Sequence, residues 1–174
     1  MLAETKRNVI IAPHPDDELI GCFELLYEKP STCTVILFKD ILDEIISEER
    51  IRESQSLGKH LGYDVIVFDN PISFKNIVKN ELPWKSNETI LWLPELNEHY
   101  HHSYVTSLLF DLKKTYKELT LGLYTVKMNT SYTRKSKYSD LKMKYAYTFF
   151  ASQKEFFFSN QHVLIFEGRV VVDW

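Results

Sequence analysis

Five short, almost unbroken apolar runs recur along the chain: NVIIAP at 8–13, TCTVILF at 32–38, DVIVFD at 64–69, ETILWLPE at 88–95 and LTLGLYTVK at 119–127. A strand with one wet face alternates apolar and polar residues. A strand that is apolar throughout is covered on both faces, which is the condition of a parallel sheet. Helix-patterned stretches fill the gaps, namely ELIGCFELLYE (18–28), DEIISEERIRESQSLGKH (43–60), SYVTSLLFDLKKTYKE (103–118) and SDLKMKYAYTFFASQKEFF (139–157). Strand and helix in alternation imply right-handed crossovers with helices on both faces. The expectation is a Rossmann-like three-layer α/β/α sandwich with a mostly parallel sheet, one domain over 1–174. The last stretch, HVLIFEGRVVVDW, reads as a C-terminal hairpin turning at Glu167-Gly168.

Finer signals fill in the plan. Asp16 or Asp17 stands where the first helix needs an acceptor for its free N–H groups, and Leu61-Gly62 closes the helix of 43–60. Pro71 and Pro83 mark 70–88 as loop-rich, with room for one short helix. Residues 128–140 read as a polar, basic surface loop, and the lysines and arginine from Lys127 to Lys144 as a solvated face. The aromatics between Tyr145 and Phe158, and Trp92, read as core.

Composition bounds the function. The chain has 174 residues, 44% hydrophobic and 26% charged, which suits one globular domain with a real core. A net charge of -3 gives no general attraction to nucleic acid. No apolar stretch reaches the roughly 18 residues of a membrane span. MLAETKRNVIIAP is not patterned as a signal peptide. Two cysteines, Cys22 and Cys33, without a CxxC spacing, read as reduced and buried. The expected setting is cytoplasmic, the expected partner a small molecule, and a homo-oligomer is open.

The two turns that follow strands one and four carry the chemistry. Pro13-His14-Pro15-Asp16-Asp17-Glu18 crowds a histidine and three acids at one strand end, and His99-Tyr100-His101-His102 follows the other. In sheets of this kind ligands bind beyond the carboxyl ends of the strands. Crowded like charges require a cation, a substrate or solvent. A catalytic zinc takes three nitrogen or oxygen ligands and leaves a fourth position for water. His14 and Asp17, three apart, fit one side of the turn, which leaves Asp16 free as a base. The third ligand comes from His99, His101 or His102. Caps on a helix and a solvated histidine loop are the plain alternative, weakened by both turns sharing one sheet edge.

APHPDDE directly after an apolar strand resembles the signature of the LmbE-like, PIG-L-type zinc-dependent N-deacetylases. Arg50, Glu53 and Leu61-Gly62 keep that family's spacing, His99 to His102 is similar to its His-x-x-His turn, and KYAYTFFASQ (144–153) to its Tyr/Ser-Gln helix ending. The resemblance spans 8 to about 166. It implies one Zn2+ held by His14, Asp17 and His102, with Asp16 as general base for water. It implies His99 as proton donor or oxyanion stabiliser, Arg50 as a contact to sugar or phosphate oxygens, and a structural role for Glu18. The substrate it implies is an N-acetylglucosamine-type amino sugar.

Tyr100 and His101 stand where the family carries Pro-Asp, so the third ligand is His102 or His101. Other divalent metals fit the same donors. The alternatives are hydrolysis of a different acyl amide, or a metal-binding sugar-recognition protein without turnover.

Overall fold

The chain is described here from a computed structural model, over residues 6–80, 84–96, 99–126 and 132–172. In chain order the elements are β1 (Arg7–Ile11), α1 (Asp17–Glu28), β2 (Cys33–Phe38), β3 (Asp40–Ile41), β4 (Glu44–Ile45), α2 (Glu48–Leu61), β5 (Asp64–Phe68) and α3 (Pro71–Asn80). After these come β6 (Thr89–Pro94), α4 (Tyr100–Phe110), α5 (Leu112–Thr115), β7 (Thr120–Thr125), β8 (Thr133–Lys135), α6 (Ser139–Phe149), α7 (Lys154–Ser159), α8 (His162–Ile165) and β9 (Phe166–Val172).

Seven of the strands form the main sheet in the order β5-β2-β1-β6-β7-β9-β8, and β3 and β4 pair apart from it. All pairings from β5 to β7 are parallel, and β9 is antiparallel to both β7 and β8. The unbroken apolar runs now have their cause. Val9 and Ile11 of β1 pack into one core, with Ile36, Leu91, Val105 and Phe74, while Ile10 and Ala12 pack into the other, with Leu19, Phe23, Val35 and Trp92. The chain first adds strands on one side of β1 and then on the other, so strand order reverses between β1 and β6. Their carboxyl ends open the crevice in which this topology places a ligand.

The α/β sandwich, mostly parallel, is the expected architecture. Several boundaries move for visible reasons. The helix anticipated from 43 begins at Glu48, because 40–45 pair as a small antiparallel hairpin, Asp40 with Ile45 and Ile41 with Glu44. Ser47 then caps α2, its Oγ accepting from the Arg50 N–H at 3.3 Å, and Gly62 ends it at φ 91. The helix anticipated over 103–118 starts at Tyr100 and breaks at Asp111. That over 139–157 breaks at Phe150, a fully buried ring, before a 3-10 turn at Ala151–Gln153. The 70–88 stretch does carry a helix, α3.

The C-terminal hairpin is not formed. β9 runs straight through Glu167-Gly168, and Gly168 pairs with Thr125 on one side and Thr133 on the other. A Cβ there would lie 2.8 Å from Thr125 Cγ2 and 3.1 Å from Thr133 Cα. The glycine serves a close approach of three strands, which from sequence looks like a turn.

The basic stretch is not uniformly solvated. Lys142 is fully buried, donating to the Ile20 and Phe166 carbonyls and lying 3.7 Å from Glu167. Part of that stretch, 127–131, lies outside the described residues, as do 1–5 and Pro83. Among the aromatics Phe150 and Phe157 are core, whereas Phe156 and Phe158 are exposed. Cys22 and Cys33 are buried free thiols. Among the described residues no helix is long and apolar enough to cross a membrane.

Candidate metal centre

β1 ends at Ile11, and Ala12 still donates to the Ile36 carbonyl at 2.9 Å, so the following turn starts from a fixed point. The turn closes through backbone and side chain together. His14 N–H donates to Asp17 Oδ2 at 2.9 Å, and Asp17 N–H to the His14 carbonyl at 3.1 Å. Asp16 adopts φ 141, a left-handed conformation that a non-glycine residue holds only under constraint. Part of that constraint is Glu18, whose Oε2 accepts the Asp16 N–H at 3.0 Å. Ser54 Oγ donates to the other oxygen of Glu18. The side chain of Asp16 therefore does not cap α1 and is turned towards the crevice.

On the neighbouring strand, Thr106 Oγ1 donates to the Pro94 carbonyl at 2.5 Å, which ties α4 to the end of β6. His99 is the first cap residue of that helix and His102 lies one turn on. Their rings stack at 4.7 Å between centroids.

The two turns meet. His102 Nε2 lies 3.0 Å from Asp17 Oδ2, and His14 Nδ1 lies 3.4 Å from the same oxygen. His14, Asp17 and His102 are buried, with one donor atom of each within 4.8 Å of the others. Two ligands about 2.0–2.1 Å from a tetrahedral ion sit about 3.3 Å apart, so this N/O set fits a zinc-like cation. His101 and His102 fall into different candidate sets, His101 with His14 and His99, and His102 with His14 and Asp17. His102 reaches Asp17, whereas His101 turns to the small hairpin, with Nδ1 3.2 Å from Glu44 Oε2 and Nε2 3.3 Å from Asp43 Oδ1.

Electrostatics separate the two aspartates. Burial alone pushes both up. Asp17 is nevertheless held well below the usual carboxylate range by His102 and His14. Asp16 is pushed well above it by burial and by the charge of Asp17, against the pull of Arg50. Burial opposes the charged ring of His14, but Asp17 overcomes it and raises the pKa. His99 is lowered, by burial and then by the neighbouring rings of His102 and His14. Glu18 is pushed up to about 7 by burial.

Arg50, from the first turn of α2, bridges to the far side of the crevice. Its Nη2 donates to Gln153 Oε1 at 2.9 Å and lies 3.7 Å from Asp16 Oδ1; its Nε is buried without a hydrogen-bond partner. Gln153 in turn donates to the Pro15 carbonyl at 2.7 Å. Glu53 accepts from the backbone N–H and hydroxyl of Ser152, at 2.7 and 2.5 Å.

His14, Asp16, Asp17, Arg50, His99 and His102 all line one cavity of about 560 Å³. Glu44 and Gln153 share its wall. Sequence reasoning missed Glu44 and Asp43, whose hairpin carries no apolar periodicity to reveal it. Gln153 was visible only as part of a resemblance.

No protein-family model matches this sequence, and none of the curated proteins does. Solved structures match it in shape. An N,N'-diacetylchitobiose deacetylase from Pyrococcus horikoshii, complexed with an inhibitor, superposes with a TM-score of 0.58 at 15% identity, over 96% of this chain and 84% of that one. A deacetylase of the teicoplanin biosynthetic pathway gives 0.62 at 10% identity, over 96% and 99%. The zinc-inhibited form of the teicoplanin deacetylase gives 0.54 at 11% identity, again over 96% and 99%. This chain has their fold. At such identities the likeness extends to architecture and stops there.

Proposed function

We propose that the chain is a metal-dependent amide hydrolase that removes the acetyl group from an N-acetylated amino sugar of the N-acetylglucosamine type. The observation that carries the reading is the convergence of His14, Asp17 and His102 with a free, buried Asp16 in one cavity. The fold shared with the N,N'-diacetylchitobiose deacetylase and the teicoplanin-pathway deacetylase supports it. His14, Asp17 and His102 would hold the ion, Zn2+ being the natural choice for this donor set. When bound, a divalent ion of this kind acidifies water and polarises a carbonyl.

The protein's own groups do the rest. Asp16 takes the proton of the attacking water, for which a carboxyl raised by burial is suited. His99, kept neutral by its surroundings, offers an N–H to the oxygen that gains charge at the acyl carbon. Asp16 then returns the proton to the leaving nitrogen, which also takes the second proton of the water, so the amide and one water become a carboxylate and an ammonium group. Arg50, with its unpartnered Nε, binds sugar or phosphate oxygens. Ile20, Phe156 and Val163 give the cavity an apolar wall, which also suits a different acyl group. A setting in the cytoplasm and a small-molecule partner belong to the same reading.

The test is amine release by zinc-reconstituted protein from free, nucleotide-linked, lipid-linked and oligomeric N-acetylglucosamine, beside matched formyl and longer acyl amides. Asp16→Asn should lower the rate by about 10²–10⁴-fold while the metal content stays at one per chain. Full activity in that variant would remove Asp16 as the base. Silence on every substrate, with metal bound and sugar still captured, would leave a binding protein without turnover.

A further inference from the structure

His14 faces two donor sets, one through each ring nitrogen. Nδ1 lies 3.4 Å from Asp17 Oδ2, on the side of His102. Nε2 lies 3.0 Å from His101 Nδ1 and 3.5 Å from Glu44 Oε2, and those two atoms are 3.2 Å apart. All three separations bracket the roughly 3.3 Å edge that a tetrahedral zinc-like ion imposes on nitrogen and oxygen ligands. The donors come from three separate pieces of chain, the turn after β1, helix α4 and the small hairpin.

The surroundings of this second set have the form that orients metal ligands. A ligating histidine gives its other N–H to a carboxylate, and a ligating carboxylate is itself held. His101 Nε2 lies 3.3 Å from Asp43 Oδ1, and Tyr100 OH donates to that same oxygen. Glu44 Oε1 lies 3.6 Å from Arg50 Nη1, which leaves Oε2 towards the two rings. His101 is almost completely buried, so its ring has no freedom to turn away.

We infer that the chain has a second seat for a divalent transition-metal ion, formed by His14 Nε2, His101 Nδ1 and Glu44 Oε2. A neutral imidazole offers one lone pair, on one nitrogen or the other. The two seats therefore compete for His14. An ion in the second withdraws His14 from the first, whose ion is then held by Asp17 and His102 alone, and excess metal switches the enzyme off. The switching-off rests on the proposed hydrolase reading, whereas the seat stands on its own donors.

Equilibrium dialysis of the full chain against Co2+ tests the seat, with visible absorption reporting tetrahedral cobalt. Wild type should take up two equivalents, the second more weakly. Glu44→Gln should take up one over the same range. Asp43→Asn, a change at an exposed carboxylate, should keep both and weaken the second by about 10–100-fold. His102→Ala, which cripples the first seat, should still bind one. Amine release by wild type should rise and then fall as Co2+ increases, and in Glu44→Gln it should rise without the fall. A single equivalent in wild type that disappears in His102→Ala would overturn the second seat and leave the hydrolase reading standing. Two equivalents undiminished by Glu44→Gln would also overturn it. No uptake by wild type would sink both.

Discussion

At Asp16 the backbone and the side chain answer to different demands. A φ of 141 is a conformation suited to glycine, and holding another residue there costs of order 1–3 kcal/mol. The side chain gains little structural in return, since it caps no helix and crowds Asp17 and Glu18, with Arg50 at 3.7 Å as the offset. Asp16→Gly should therefore raise stability by about 1 kcal/mol after the extra entropy glycine loses on folding, and a denaturant titration would show it. The same variant should release no measurable amine. His14, Asp16 and Asp17 were legible because a strand runs straight into them, and the histidines because they follow another strand. Glu44 was not: an acid in a stretch patterned as the start of an acidic helix looks like a dipole partner.

Among the elements, the parallel strands were the most legible, since a run apolar on both faces has few other uses in a soluble chain. Element ends were less so, because capping by Ser47 and the two-residue strands of the hairpin depend on contacts too local or too distant for periodicity to record. Lys142 is the sharpest case. It looked like one more solvated lysine, yet it is buried between α1, α6 and β9 with Glu167. Lys142→Met leaves Glu167 with Arg169 at 3.5 Å and the Glu24 N–H but takes the ammonium from it and from the Ile20 and Phe166 carbonyls, so it should destabilise by about 3 kcal/mol. Lys142→Met with Glu167→Gln should recover most of the loss, since a buried pair often contributes little net stability. Thermal melts of the two variants beside wild type check this.

For the whole molecule, that pair writes a signature into stability against pH. Burial pushes Glu167 from 4.5 up to about 7, so its contribution is fully present below 4.5 and is lost as pH rises through 7. Burial lowers Lys142 from 10.5 to about 8, so its contribution is present above 10.5 and is lost as pH falls through 8. Together they predict a trough in the unfolding free energy of wild type, with its walls falling from 4.5 and from 10.5 and its floor between about 7 and 8. Subtracting the curve of the Lys142→Met, Glu167→Gln double variant should reveal it, and a flat difference would contradict the assignment.

The strands of the small hairpin at residues 40–45 belong to no part of the main sheet and pair with each other, with Asp40 N–H donating to the Asp69 carbonyl just past β5 at 2.9 Å. A substitution at 42–45 touches no strand pairing of the seven-stranded sheet. Yet the hairpin delivers Glu44 to His14, His101 and Arg50. The chain thus keeps one dial of its candidate metal centre outside the pairings of its main sheet. Descendants of such a protein are free to retune the surroundings of His14 by rewriting residues 42–45, while Ile41 stays in the core.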